Sequence, residues 1–143
     1  MNVVLDTNIL VSALWTEKGN PHKILDMIGR NEIKPCYDYR IITEYRDVLS
    51  RPKFSFSARD INSVLNGIKA KGFSTIAKQC AHNFTDETDR AFYEVAVTCN
   101  AYLITGNSKH FPNEPLVLSP AQFLVLLDFE KWPVENPNAT GNE

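Results

Sequence analysis

Apolar residues along the chain follow two spacings, which predict strands and helices in alternation. Short β-branched runs are typical of buried strands, and apolar residues three and four apart are typical of helices that cover a sheet. The predicted strands span residues 2–5, 32–37, 73–77, 101–105 and 116–118. The predicted helices span 20–29, 39–50, 58–71 and 86–100, with a last one from 119. This order predicts an α/β fold of three layers, with a central, mainly parallel sheet of about four to five strands flanked by helices.

Capping residues mark the ends of two predicted helices. Asn20 and Pro21 have the composition of an N-cap followed by a first-turn proline, and Gly29 ends the same helix. The last helix begins with a capping box, in which Gln122 reaches back to the amide of Ser119.

The length of 143 residues predicts one domain. We expect residues 1–130 to form that domain and residues 131–143 to form a polar, disordered tail. A net charge of −2 gives no general attraction to nucleic acid, so a nucleic-acid enzyme of this composition needs a local basic patch and bound cations.

The expected location is the cytoplasm. No apolar run approaches the roughly 20 residues that span a bilayer, and the N-terminus lacks the basic region of a signal peptide. The cysteines are odd in number and far apart, which indicates reduced thiols: Cys36, Cys80 and Cys99.

A carboxylate follows the first predicted strand directly, in the stretch VVLDTN. Burying Asp6 there costs several kcal/mol unless it is paired, hydrogen-bonded or bound to metal. Ligands collect at the carboxyl ends of parallel strands, which favours a functional site. The alternative is that Asp6, Thr7 or Asn8 simply caps the next helix.

A second acid, Glu44, lies on the predicted helix 39–50. It shares a face with Val48, at the edge of the apolar stripe. The alternative is a partly exposed glutamate that pairs with Arg40 or Arg46.

Two further acids open the segment DETDRAFYEVA. Asp89 shares a face with Phe92 and Tyr93, which directs it toward the edge of the core. The alternative is that Asp86 is the N-cap and Asp89 an acid at position N3, favoured by the helix dipole.

The turn after the strand 101–105 offers neutral oxygens, from Thr105 and Asn107. Gly106 between them permits a positive φ or a close approach of the backbone. The alternative is an ordinary strand-ending turn.

Together these segments bring several oxygen-bearing side chains to one edge of the predicted sheet. Crowded like charges repel, and a hard divalent cation with oxygen ligands relieves that repulsion. Two such cations about 4 Å apart can activate water and stabilise the leaving oxygen in phosphodiester cleavage.

Four segments in this order and spacing resemble those of PIN-domain proteins, most closely the branch of VapC-like toxins of toxin–antitoxin pairs. The resemblance covers residues 2–129, and its carriers are VVLDTNILVSAL, IITEYRDVLSRPKF, DETDRAFYEVA and AYLITGNSKHFP.

The resemblance implies a PIN-like nuclease fold and hydrolysis of single-stranded RNA with one or two Mg²⁺ or Mn²⁺ ions, leaving a 3′-hydroxyl and a 5′-phosphate. The implied catalytic metal ligands are Asp6, Glu44 and Asp89, with Asn107 as a further ligand. The implied supporting residues are Thr7, Asn8, Asp86 and Thr105.

One position departs from the family pattern. Many PIN proteins carry an aspartate where this chain has Asn107, so we expect a second ion to bind weakly. An alternative function is a catalytically weak PIN-fold module that binds RNA or protein.

The toxin resemblance also implies partners. These are a small antitoxin that blocks the acidic cleft and a second copy of the chain, for which the apolar stretch 125–129 is a candidate surface, core packing being the alternative. The expected RNA contacts are Lys109, His110 and Arg46. Trp15 is a candidate for base stacking, or else a core or dimer residue.

A third class, a phosphatase or receiver domain with Asp6 as phosphoacceptor, fits less well. A haloacid-type phosphatase has a second aspartate where this chain has Asn8. A receiver has partner acids just before its phosphoacceptor, and this chain has none before Asp6.

Overall fold

The structure is a computed structural model that describes the backbone of residues 1–135 and the side chains of residues 1–130. Its centre is one sheet of five parallel strands in the order β3-β2-β1-β4-β5. The strands are β1 (Asn2–Leu5), β2 (Lys34–Tyr37), β3 (Phe73–Ser74), β4 (Tyr102–Ile104) and β5 (Val117–Leu118). The predicted α/β fold with a central parallel sheet is confirmed.

Six helices flank the sheet within the described residues. They are α1 (Thr7–Trp15), α2 (Asn20–Gly29), α3 (Tyr39–Leu49), α4 (Ala58–Lys71), α5 (Thr88–Thr98) and α6 (Pro120–Glu135). Two short 3₁₀ turns, Pro52–Phe54 and Ser108–His110, were not predicted.

The central strand β1 explains where the core lies. Its residues Val3, Val4 and Leu5 are at most 1% exposed, because neighbouring strands pair on both edges and helices cover both faces. The chain passes from β1 to β2 on one side, whereas β4 pairs on the other. Strand order therefore reverses between β1 and β4, and a crevice opens at their carboxyl ends.

Local signals predicted several boundaries well. Helix α4 has the predicted bounds, and the capping box is present: Gln122 Oε1 accepts from the Ser119 amide at 2.9 Å, and Ser119 Oγ accepts from the Gln122 amide at 3.1 Å. Helix α6 passes position 131, where the sequence predicts the tail to begin. The rest of that predicted tail, 136–143, lies outside the described residues.

Among the predicted ends that were wrong, three have a visible physical cause. The N-cap of α2 is Gly19, whose carbonyl accepts from the Lys23 amide, so the helix already includes Asn20. Strand β3 stops at residue 74 because the chain leaves the sheet after Thr75 donates to the Tyr37 carbonyl.

The third difference is the start of α5, at Thr88 rather than at Asp86. The amides of Asp89 and Arg90 donate to carbonyls three residues back, a tight 3₁₀ pattern that delays the α-helix. The N-cap is Glu87, and Asp89 takes position N2 instead of N3.

Membrane-spanning segments and cysteines are the two remaining points on which the sequence allows a prediction. Within residues 1–135, no helix has the length and apolar character to cross a bilayer. The three cysteines are free thiols, with Cys36 buried.

Candidate metal centre

A cavity of about 270 Å³ lies at the crevice between the ends of β1 and β4. Five separate segments line it: the β1–α1 junction, α3, the 3₁₀ turn Pro52–Phe54, the start of α5 and the turn after β4. The lining includes Asp6, Glu44, Asp89 and Asn107, together with Thr7, Asn8 and Asp86. All four implied ligands therefore face one space.

Asp6 is buried at the centre of this cavity, and both of its carboxylate oxygens are hydrogen-bonded. Oδ1 accepts from the Thr7 amide at 2.8 Å, which makes Asp6 the N-cap of α1. Oδ2 accepts from the Thr105 hydroxyl at 2.7 Å, a bond that joins β1 to β4. Burial raises the pKa of Asp6 and these hydrogen bonds oppose the rise. Asp6 therefore both caps α1 and lines the cavity, so the two interpretations of this residue are compatible.

The turn after β4 is tied to both Asp6 and α1. The Thr105 hydroxyl accepts from the Asn107 amide at 3.0 Å, and Asn8 Oδ1 accepts from the Gly106 amide at 3.4 Å. Gly106 has no positive φ, and an added Cβ would make an ordinary 3.5 Å contact with Asn8. The positive φ that the sequence suggested is wrong.

Glu44 is half-buried on α3. The arginines with which it could have paired bind elsewhere: Arg40 Nη1 contacts Glu94 at 2.9 Å, and Arg46 Nη1 donates to Asn62 at 2.9 Å. The alternative of a partly exposed glutamate paired with Arg40 or Arg46 is therefore wrong about the pairing and right about the partial exposure. Burial raises the pKa of Glu44, and nearby carboxylates add to the rise.

Asp89 is 9% exposed at the start of α5. Burial, then the charges of Asp6 and Asp86, raise the pKa of Asp89 to about 6. The nearest potential cation is His110, whose Nδ1 lies 3.6 Å from Asp89 Oδ2.

Asp86 differs from the other acids because it is exposed at the rim. Its carboxylate accepts from the amide and the hydroxyl of Thr88 at 3.0 and 2.8 Å, and these bonds lower its pKa. Asp86 thus accepts from a free amide of the first turn of α5, although it lies one residue before the N-cap.

Charge compensation is missing from the cavity. Among the described residues, no lysine or arginine forms an ion pair with Asp6, Glu44 or Asp89. The buried hydroxyl of Thr7 also lacks a hydrogen-bond partner there. Hard oxygen donors without a counter-charge fit a divalent cation.

The carboxylates do not, however, form a ready-made cage. Within residues 1–130, no group of three or more His, Cys, Asp or Glu side chains is close enough to hold an ion as it stands. Repulsion between uncompensated carboxylates favours such separation.

The predicted RNA contacts divide into two groups. His110 lines the cavity, with Nε2 2.9 Å from Asn107 Nδ2, and Lys109 lines an adjoining groove of about 510 Å³ that also contains His110 and Asp89. Arg46 is not part of either lining and binds α4 through Asn62.

Two positioning elements were missed by sequence reasoning. The hydroxyl of Tyr45, fully buried on α3, donates to the Leu5 carbonyl just before Asp6. Glu94 on α5 binds Arg40 and accepts from the Cys80 amide at 2.8 Å, fixing the loop before α5. The only sequence signal for Tyr45 is its place beside Glu44.

The parallel sheet and the acidic cavity at its switch point define a nuclease-type α/β domain. A family model described as PIN domain matches residues 2–109, and the chain belongs to this family. PIN domains are in general nucleases that use divalent metals.

One relative is similar along most of the domain. The chain is 32% identical over 110 residues to the uncharacterized protein MJ1680 of Methanocaldococcus jannaschii, covering 75% of this chain and 71% of the relative. No solved structure matches the chain.

Proposed function

We propose that this PIN-domain protein is an Mg²⁺- or Mn²⁺-dependent endoribonuclease that hydrolyses single-stranded RNA. The observation that carries the proposal is the set of cavity carboxylates, buried Asp6 and Asp89 with half-buried Glu44, none of which forms an ion pair with arginine or lysine among the described residues. A protein that needed these acids only for stability would pair them, as this chain does with Glu94.

The proposed metal ligands are Asp6, Glu44, Asp89 and Asn107. Asp6 is the anchor, because its hydrogen bonds to Thr7 and Thr105 fix the orientation of both oxygens. When bound, such an ion would lower the pKa of a water molecule and stabilise the negative charge that develops on the phosphate.

The proton of the attacking water goes to a carboxylate in this proposal. Asp89 is the preferred acceptor, because it lines both the cavity and the adjoining groove that contains Lys109 and His110. Glu44, which lines the cavity from α3, is the second candidate. The attack leaves a 3′-hydroxyl and a 5′-phosphate, and Lys109 and His110 contact the RNA backbone beside the cavity.

The test is cleavage of a mixed pool of single-stranded RNA. We expect Mn²⁺-dependent cleavage that EDTA stops and that Asp6→Asn reduces by about a thousandfold or more. Asp47→Asn is the matched control, because Asp47 is an exposed acid on α3 that pairs with Arg51. Unchanged cleavage by Asp6→Asn would rule out the metal site.

We further propose that the enzyme is the cytoplasmic toxin of a type II toxin–antitoxin pair. A small antitoxin would block the acidic cavity, and a homodimer would use α6, where Val125 and Phe129 are 68% and 78% exposed. To test the pairing, we expect a short reading frame beside the gene, and we expect its protein product to co-purify with this chain and inhibit cleavage. Analytical sedimentation tests the dimer.

A second candidate function is a PIN-fold module that binds RNA or protein without cutting. Asn107 favours it, because its amide brings no charge and is bonded to His110. Calorimetry with Mn²⁺ separates the two functions: a nuclease binds the ion at the cavity, and Asp6→Asn removes that binding.

A further inference from the structure

An aromatic cluster lies beside the acidic cavity, where Phe56 packs against the core and Trp15 reaches solvent. Trp15, at the end of α1, is 63% exposed. Its ring meets Phe54 and Phe56 edge-on, with centroids 6.0 and 6.1 Å away, and those two rings stack on each other at 5.6 Å. We call Trp15, Phe54 and Phe56 the aromatic platform.

The aromatic platform is continuous with the cavity. Phe54 itself lines the cavity, and so do Asn8 and Val11. Because Asn8, Val11 and Trp15 are spaced three and four residues apart, they lie on one face of α1. From Asn8 to Trp15 this face extends about 10 Å along the helix.

Cationic groups accompany the rings. Lys53 Nζ lies 5.1 Å from the Phe54 ring centroid, and Lys53 is exposed. Arg51 is close enough to Glu44 to oppose the rise in the pKa of that glutamate. Positive charge therefore lies beside the platform, next to a cavity that is itself acidic.

An exposed tryptophan against two half-buried rings, beside cations, matches single-stranded nucleic acid in particular. Bases present flat π-faces that stack on aromatic side chains, whereas the phosphates between them need cations. Aromatic rings and cations also occur in protein interfaces, but here they adjoin the proposed phosphodiester-cleaving cavity, which favours RNA as the occupant.

We propose that the aromatic platform stacks an unpaired base of the RNA next to the scissile phosphate, with Lys53 contacting the adjoining backbone. This inference rests on the proposed ribonuclease function and adds a base-binding subsite to it. Duplex RNA keeps its bases stacked on one another, so the platform selects single strands.

The test uses the tryptophan fluorescence of the full chain with two substitutions. Asp6→Asn keeps the RNA intact, and Trp132→Phe removes the second of the two tryptophans, so that Trp15 alone gives the signal. We expect a short oligoadenylate to quench Trp15, and an oligomer of abasic sites with the same phosphates to leave it unquenched. Equal quenching by both would overturn the proposal, and so would no quenching by either.

Affinity gives the second measurement. Trp15→Ala should weaken oligoadenylate binding by roughly ten- to a hundredfold, Trp15→Phe by much less, and neither should change binding of the abasic oligomer. Tyr39→Ala, at a similarly exposed ring on α3 that lines neither the cavity nor the adjoining groove, is the matched control and should leave RNA binding unchanged. The same affinity for Trp15→Ala as for its parent contradicts the platform.

Failure of the platform and failure of the nuclease are distinguishable. If Mn²⁺-dependent cleavage is seen but Trp15→Ala neither weakens RNA binding nor slows cleavage, the platform is wrong and the nuclease stands. If no cleavage is seen but bases quench Trp15, the platform stands on a binding module. If Trp15→Ala instead only dissociates a dimer, the surface binds a second copy and the proposal is overturned.

Discussion

Two groups of buried acids lie near one another, and they solve the problem of charge in opposite ways. Asp38 and Glu94 share Arg40, at 2.8 and 2.9 Å, and hydrogen bonding with this arginine and the Cys80 amide holds the pKa of Glu94 below its usual range. Asp6 and Asp89 share no arginine, and their pKa values are raised. The charge of the first group is compensated as the chain folds, whereas that of the second is not, and under the proposed function a cation supplies the compensation.

The difference separates acids that are paired for stability from acids that we propose to be functional. Breaking a compensated pair leaves a buried charge alone, which costs stability. Removing an uncompensated charge relieves repulsion, which adds stability and costs function. The two groups should therefore respond to neutralisation with opposite signs.

The largest expected effect on stability is in the compensated group. Glu94→Gln leaves Arg40 with one carboxylate, and we expect the free energy of unfolding to fall by about 3 kcal/mol, measured by urea denaturation. A matched change at the exposed Asp47 should cost well under 1 kcal/mol. A loss at Glu94 no greater than that at Asp47 would contradict the structural role of the pair.

Cation binding should act on the other group alone. At a Mn²⁺ concentration about 100 times Kd, we expect stabilisation of about 2.7 kcal/mol, seen as a rise in Tm of roughly 5–10 °C. Asp6→Asn should abolish the rise, whereas Glu94→Gln should keep it from a lower starting Tm. A shift that survives Asp6→Asn places the ion elsewhere.

Asn107→Asp sharpens the comparison by adding a carboxylate to the uncompensated group. We expect Mn²⁺ to bind about tenfold more tightly, because ligand charge increases. The metal-free variant should be less stable than the parent, because a further like charge enters the cavity. Calorimetry measures the first effect and denaturation in EDTA the second; an unchanged affinity would exclude position 107 as a ligand.

The smallest expected effect is the pH dependence of Asp89. Its folded pKa of about 6 exceeds its ordinary value of 3.8, so the folded state holds the proton more tightly than the unfolded state. Stability of the metal-free protein should therefore fall as pH rises from about 4 to 6, by about 1 kcal/mol.

Asp89→Asn should remove that slope and be the more stable protein at pH 7. Denaturation midpoints in EDTA at pH 5 and pH 7 measure the difference. The prediction fails if the parent gains stability relative to the variant between these two values.

Sequence reasoning succeeded where the signal is local. The capping box at Ser119 and the apolar period of α4 each lie within a few residues, and both elements appear as predicted. The meeting of Asp6 with the Thr105 turn was also predictable, because carboxyl ends of parallel strands share one edge. The resemblance to PIN domains supplied Glu44 and Asp89.

Long-range partners could not be predicted in the same way. Arg40 and Glu94 are 54 residues apart, and nothing near either indicates the other. Tyr45 supports Asp6 through a backbone carbonyl, which has no side-chain signature. The exposure of Trp15 depends on how the turn at Phe54 packs against it. The sequence alone therefore could not decide whether Trp15 stacks on a base or is buried in the core or a dimer.

The hydrogen bond between Asp6 and Thr105 also has a consequence for the timing of synthesis. Its partners are 99 positions apart, so at about 5–20 residues per second Thr105 follows Asp6 off the ribosome by roughly 5 to 20 seconds. During that interval β1 has no β4 beside it, and the acidic cavity cannot form. The cavity therefore forms late in translation, and under the proposed function the nascent chain gains nuclease activity only after Thr105 has left the ribosome.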